Sequence, residues 1–414
     1  MKRFGLLVAM VAVLLASGCT EKMETPDMDL ADNPYKRLEI STKAAEYVQQ
    51  GNTFAFEFID RINAAEKGDF FVSPLSMQFL LGMLLDGAQG QTADEICKLF
   101  GFGAGEVDAV NEFCLSMLQQ LPELDKLTRL NIANAIFVNN RFPLLDSYKN
   151  SVGKYFHAEV SNLDFSNASG SLKAINGWCN KQTEGLIPKV LDKVSPNDLA
   201  YLLNAMYFKS EWTTRFPKEN TKEESFRLDN GATVKVPMMK NNARFQYSEN
   251  DIFRAVRLPY GNTAYSMIVT LPAEGHTVSD VAAAMKDIDI LGFVGNMVAA
   301  DVDLWLPKFE TKYSIELKDI LSEMGMPSSF NGSKADFKAM SDYALCLSSV
   351  KQDAVIKVDE EKTEAAAVSI AREAHSTYIQ EIKKVVFHAE RPFMYLIAES
   401  STGAILFAGK YTGK

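Results

Sequence analysis

Asp359-Glu360-Glu361-Lys362-Thr363-Glu364-Ala365-Ala366-Ala367-Val368 follows a β-type run, Ala354-Val355-Ile356-Lys357-Val358, and precedes an apolar run from Phe393 to Ile397. Its composition favours helix, because Glu, Ala, Lys and Arg are strong helix formers. At period two, however, Thr363, Ala365, Ala367, Ser369 and Ala371 share one face. All five are small or weakly polar, as a strand needs to be if it is to enter a packed sheet. Glu364, Ala366, Val368, Ile370 and Arg372 form the other face, which tolerates solvent. The pattern leaves three readings open: an exposed loop able to become a central strand, a solvated linker, or an amphipathic helix.

Further motifs lie on both sides. Downstream stands Phe387-His388-Ala389-Glu390-Arg391-Pro392-Phe393-Met394-Tyr395-Leu396-Ile397. Upstream are Leu202-Leu203-Asn204-Ala205-Met206-Tyr207-Phe208-Lys209-Ser210-Glu211-Trp212 and Phe71-Val72-Ser73-Pro74-Leu75-Ser76. Asp359 to Ala367 closely resembles the reactive-centre-loop hinge of inhibitory serpins, and Phe387 to Ile397 resembles the serpin C-terminal signature, with Glu390 where Asp or Asn is commoner. The resemblance spans about Tyr35 to Lys414.

That resemblance implies an α+β fold: one serpin-like domain over 35–414, with three β-sheets, about nine helices and an exposed reactive-centre loop at about 360–386. It also implies a suicide inhibitor of extracellular serine, or else cysteine, proteases, needing no cofactor. A protease would attack the loop, and the freed N-terminal part would insert into the main sheet while the acyl-enzyme persists. The hinge maps to Glu360, Glu361, Lys362, Thr363, Glu364, Ala365, Ala366 and Ala367. The breach and shutter regions, where the sheet opens, map to Trp212, Asn204, Ser73 and Ser76. Counting forward from the hinge places the scissile bond at Ser376-Thr377, suiting elastase-like proteases. Counting back from Arg391 places it at Tyr378-Ile379, suiting chymotrypsin-like ones. Lys362 stands where Gly is usual, and Glu373 falls on the inward face, where an unpaired carboxylate is costly to bury. A non-inhibitory serpin acting as a carrier is the alternative.

Other segments supply elements from pattern alone. Phe54, Phe58 and Ile62 recur at helical spacing. Ser73-Pro74 after Phe70-Phe71-Val72 predicts a strand feeding a capped helix. Thr92 with Glu95 predicts a capping box for the next helix, which Gly101 stops. Leu130 to Val138 alternates as a strand, and Ser171 to Thr183 reads as a helix closing at Gly185. Asp229-Asn230-Gly231 predicts a hairpin turn. Val236 to Met239, Ala255 to Pro259, Tyr265 to Pro272 and Val302 to Pro307 predict strands. Ser400-Ser401-Thr402-Gly403 turns Phe393 to Glu399 back into a C-terminal hairpin.

The 414 residues are 47% hydrophobic and 23% charged, enough for a large core. A net charge of −10 and a pI near 5.1 argue against general nucleic-acid binding, because cations to replace phosphate counterions are lacking. Met1-Lys2-Arg3, the apolar run Phe4 to Leu15 and Ala16-Ser17-Gly18-Cys19 predict an export signal too short to span a bilayer. The last four residues resemble a bacterial lipoprotein box. Residues 1–18 would then be a signal peptide, Cys19 the lipid-bearing residue and 19–34 a flexible tether; a plain secretory signal is the alternative. Such a protein would sit at the cell surface or in the periplasm, anchored to membrane, or outside the cell.

Cys97, Cys114, Cys179 and Cys346 have no metal-ligand spacing and imply no disulfide framework. The histidines, His157, His276, His375 and His388, form no metal-binding helix signature, and no Gly-x-Ser-x-Gly elbow is present. Gly101 to Gly105 lacks the preceding strand of a nucleotide loop. His375 and Ser376 are adjacent but nothing orients them as base and nucleophile. Enzymatic chemistry is not indicated.

Overall fold

The C-terminal hairpin is buried along its whole length. Every residue of its two strands, Phe393–Glu399 and Ile405–Tyr411, is buried, and antiparallel ladders run on both sides of the first. Gly409 lies opposite Tyr395 across this hairpin, where a Cβ would come within 2.4 Å of the Tyr395 ring, so a side chain there would not fit.

The computed structural model describes residues 32–103, 105–360 and 382–414. In chain order the elements are α1 (Thr42–Ala65), β1 (Phe70–Val72), α2 (Pro74–Gly87), α3 (Gly90–Phe100), α4 (Val107–Gln120), β2 (Arg129–Asn139), α5 (Asp146–Phe156), β3 (Glu159–Leu163) and α6 (Ala168–Gln182). Then come β4 (Ala200–Lys209), β5 (Lys222–Arg227), β6 (Thr233–Glu249), β7 (Phe253–Tyr260), β8 (Tyr265–Pro272), α7 (Val278–Met285), α8 (Ile290–Gly295) and β9 (Val298–Pro307). The chain closes with β10 (Phe309–Glu316), α9 (Lys318–Glu323), β11 (Lys351–Val358), β12 (Lys383–His388), β13 (Phe393–Glu399) and β14 (Ile405–Tyr411). Among the described residues this makes nine α-helices and three hydrogen-bonded sheets, the α+β architecture expected.

The largest sheet runs β1-β14-β13-β8-β7-β6-β9-β12, with β5 also on β6. The other two are β3-β2-β4 and β10-β11. The three-stranded sheet is covered on both faces, and alternation along β4 distributes its side chains between them. Leu203 and Ala205 join a core cluster with Ile175 and Trp178 of α6. Asn204 and Met206 bond to Ser76 and Ser73 at the start of α2 on the opposite face.

Several local expectations hold. Ser73 caps α2, its side chain accepting from the Ser76 amide, with Pro74 in the first turn. Gly101 ends α3 at φ 73°, a left-handed conformation open to glycine. Gly231, at φ 80°, lies in the turn between β5 and β6. The capping box does not form. Helix α3 begins at Gly90, so Thr92 is already inside it, and both side chains are used elsewhere: Thr92 accepts from the Asp336 amide and Glu95 from the Ser328 amide and hydroxyl. Helix α6 starts at Ala168, with Asn167 rather than a later residue as its cap. Asn33, assigned to the tether, is buried: it donates to Asp125 and accepts from the Lys126 amide.

Candidate functional site

Two strands face each other without a shared ladder. Among the described residues β4 pairs only with β2, and β11 only with β10. Side chains nevertheless tie β4 and β11 together at two levels, and those ties define their relative direction. Beyond the end of β4, Trp212 donates from Nε1 to the Asp359 carbonyl just past β11, at 3.0 Å. Further back, Ser73 Oγ reaches Met206 Sδ of β4 at 3.0 Å, while Gln352 of β11 accepts from the Ser73 amide at 3.0 Å and donates to its carbonyl at 2.9 Å. Met206 precedes Trp212 by six positions and Gln352 precedes Asp359 by seven, so the two strands run parallel. The start of α2 bridges them from below.

This lower clasp continues sideways. Ser76 Oγ bonds to Asn204 Oδ1, Asn204 Nδ2 donates to Asn134 Oδ1 at 2.7 Å, and Asn134 Nδ2 donates to the Phe156 carbonyl at 2.7 Å. Ser73 Oγ also donates to the Leu406 carbonyl of β14 at 2.8 Å. Buried polar groups are expensive unless satisfied, and here each partner fixes the next. Sequence reasoning named Ser73, Ser76 and Asn204 but missed Gln352 and Asn134. Both sit in β-type runs, and only strand pairing reveals their role.

The upper clasp is aromatic. Trp212 is 5% exposed, stacks on Tyr260 at 4.4 Å between centroids and meets Phe216 edge-on. The Trp lies three residues beyond β4 and makes an isolated bridge to Tyr260, rather than ending the strand itself. Its indole therefore fills the core with one edge while holding the exit of β11 with the other.

Glu360, the first hinge residue, is also fixed. The residue is 7% exposed, and its carboxylate accepts from Lys308 Nζ at 2.6 Å and Thr221 Oγ1 at 2.7 Å. Burial is the strongest influence and pushes its pKa upward, but the Lys308, Thr221 and backbone hydrogen bonds outweigh it and hold the group below its usual value. The carboxylate thus stabilises the fold above the ordinary Glu range and loses that effect only as pH falls through its lowered folded value. Lys308 is 40% exposed, so solvent screening keeps the pair's contribution to about 1 kcal/mol. Glu361, Lys362, Thr363, Glu364, Ala365, Ala366 and Ala367, the candidate scissile residues Ser376, Thr377, Tyr378 and Ile379, Glu373 and Cys19 lie outside the described residues.

Among the described residues no group of three His, Cys, Asp or Glu side chains could hold a metal, and no helix is long and apolar enough to cross a membrane. Cys97, Cys114 and Cys179 are buried thiols, their pKa values raised chiefly by burial, which opposes the thiolate.

A family model described as serpin (serine protease inhibitor) matches residues 49–413. The chain belongs to the serpin family. A leukocyte elastase inhibitor of Xenopus tropicalis is 33% identical over 87% of this chain and 97% of its own. The native state of the thermophilic serpin tengpin superposes with a TM-score of 0.79 at 27% identity, covering 92% of this serpin and 97% of tengpin. Human thyroxine-binding globulin in complex with its hormone superposes with a TM-score of 0.78 at 28% identity, over 89% and 98% of the two chains. Serpins are generally protease inhibitors rather than enzymes, in keeping with the family description.

Proposed function

We propose that this serpin is a suicide inhibitor of extracellular serine proteases, with cysteine proteases a further target class. The observation that carries the reading is the split between β4 and β11, whose parallel edges are held by side-chain clasps and not by a shared ladder. A strand running the opposite way between them would bond to both. Residues 361–381 follow β11 after Asp359 and Glu360, and Thr363, Ala365, Ala367, Ser369 and Ala371, which alternate along the sequence, are small enough to enter.

In the proposed sequence the protease nucleophile attacks the Ser376 carbonyl carbon and the Ser376–Thr377 peptide bond breaks. The Thr377 amine leaves with a proton, and Ser376 stays esterified to the enzyme. Insertion of the preceding segment then carries the enzyme along the sheet and distorts its active site before water completes deacylation. Similarity to a leukocyte elastase inhibitor, together with Ser376 as the residue before the cut, supports an elastase-like target. Tyr378-Ile379 remains the second candidate bond and would suit a chymotrypsin-like enzyme.

Incubation with a panel of serine and cysteine proteases tests the reading, the expected result being a covalent complex that survives denaturing electrophoresis. Cleavage without any complex would overturn it. The carrier reading is second, favoured by the likeness to thyroxine-binding globulin and by a cavity of about 440 Å³ lined by Leu38, Ile40, Gln49 and Leu291. Anchoring through lipid on Cys19, placing the protein on a membrane outside the cytoplasm, is part of the proposal. Cys19→Ala should abolish membrane retention, and unchanged fractionation would remove that element.

A further inference from the structure

The outward face of β6, β9 and β12 carries an ordered aromatic group that nothing in the clasps or hinge explains. Register places Lys240, Trp305 and His388 in one row, Asn242, Asp303 and Val386 in the next, and Arg244, Asp301 and Lys384 in the third. The intervening Val302, Leu304 and Leu306 of β9, with Val385 and Phe387 of β12, are buried beneath. Trp305, half-buried, is held from both sides: Lys240 Nζ lies 3.7 Å from its ring centroid, and the His388 ring stacks 3.9 Å away at 17°. His388 Nε2 is 3.0 Å from Asp303, which fixes the imidazole. Beside this sandwich Val386 is 55% exposed, the most exposed large apolar side chain among the described residues.

We propose that this face, centred on Trp305 and Val386, is a second contact surface for the body of the target protease. The proposal rests on the inhibitory reading. Only seven positions separate Ser376 from Lys383 at the start of β12, a span of at most about 25 Å. A protease domain of roughly 230 residues has a radius of gyration near 17 Å and extends about 45 Å across. An enzyme engaged at the loop is therefore large enough to reach this strip.

The chemistry of the face specifies the contact. Lys240 pairs with Glu224 and Arg244 with Asp301 at 3.3 Å, while His388 hydrogen-bonds Asp303, so two of the three cations in these rows are already ion-paired. What a partner would meet is a rigid indole and an exposed valine rimmed by polar groups, which is the composition of an interface hot spot. Because the indole is already ordered, docking against it costs little side-chain entropy. The matching partner surface is an apolar or aromatic residue on a loop beside the protease active-site cleft.

Pancreatic elastase and chymotrypsin are the probes. Where acylation is slower than dissociation, the second-order inhibition rate carries the affinity of the encounter complex. Trp305→Ser and Val386→Asp should each lower that rate about tenfold while leaving the stoichiometry of inhibition unchanged, and Val386→Asp should also leave the melting temperature unchanged. Val386 is exposed, so its variant answers the question even if Trp305→Ser folds poorly. The wild-type rate should change less than about threefold between roughly 50 and 500 mM salt. Unchanged rates in both variants, beside an intact wild-type complex, would overturn the surface and leave the inhibitor standing. A raised stoichiometry at unchanged rate would also overturn it, because the residues would then merely position the loop. If the wild type forms no complex with either enzyme or with the wider panel, the inhibitory reading falls and this surface with it.

Discussion

Strand β13 has a ladder on each side, β8 and β14, and all its residues are buried; β4 and β11 each have a ladder on one side only among the described residues. The two regions are comparably deep in the fold, since Leu203, Ala205 and Met206 of β4 and Ala354, Ile356 and Val358 of β11 are buried too. The difference teaches that apolar burial and backbone pairing are separate achievements. Strand β13 has completed both. The split region has completed the first and replaces the second with side-chain clasps, leaving hydrogen-bonding capacity that a further strand would use. With about twenty new backbone bonds at a net 0.5 kcal/mol each, filling it would contribute on the order of 10 kcal/mol.

The largest effect should come from supplying that strand. Cleavage between Ser376 and Tyr378 by an enzyme that escapes inhibition should raise the melting temperature by tens of degrees in calorimetry. A clipped form melting at or below the intact protein would show that the split does not accept a strand, and the comparison would fail. Next comes Gln352→Leu, which strips the buried Ser73 amide and carbonyl of their side-chain partner. It should destabilise the intact form by about 2 kcal/mol in denaturant unfolding, and an unchanged midpoint would show the lower clasp to be dispensable. Trp212→Phe keeps an aromatic stack on Tyr260 but loses the bond to Asp359, and should cost about 1 kcal/mol. A loss as large as that of Gln352→Leu would instead assign the indole a packing role that Phe cannot fill.

The smallest effect concerns Asp353 on β11. Burial raises its pKa, with Asp192 adding to the rise and a Ser314 hydrogen bond and Lys351 opposing it; Oδ2 is buried without a partner. A carboxyl raised on folding favours the protonated form, so its charge costs stability at neutral pH and that cost disappears below the unfolded value. Asp353→Asn should therefore raise the melting temperature by about 1–2 °C at pH 7, and the gain should shrink as pH falls toward 4. A gain independent of pH would refute the electrostatic account.

What was legible in the sequence was local. Ser73-Pro74 announced a capped helix and Asp229-Asn230-Gly231 a turn, because each signal is complete within a few residues. Thr92 and Glu95 carried an equally good local signal and failed, because Asp336 and Ser328, more than 230 positions away, claim both side chains. Gln352 gave no signal, since a glutamine in an alternating strand looks solvent-facing until α2 is found beneath it. The Trp305 and His388 stack was similarly hidden: 83 positions separate rings that only the β9–β12 register brings together.

The position of β13 also determines what a cut chain becomes. A break anywhere between Glu360 and Ile382 leaves β12, β13 and β14 on a separate peptide, yet β13 remains wedged between β8 and β14, and β14 also pairs with β1. Covalent continuity and structural continuity part company at this point. The cleaved protein is a two-chain complex whose smaller subunit supplies two adjacent interior strands and one edge strand of the largest sheet, and the two pieces separate only when the fold itself is undone.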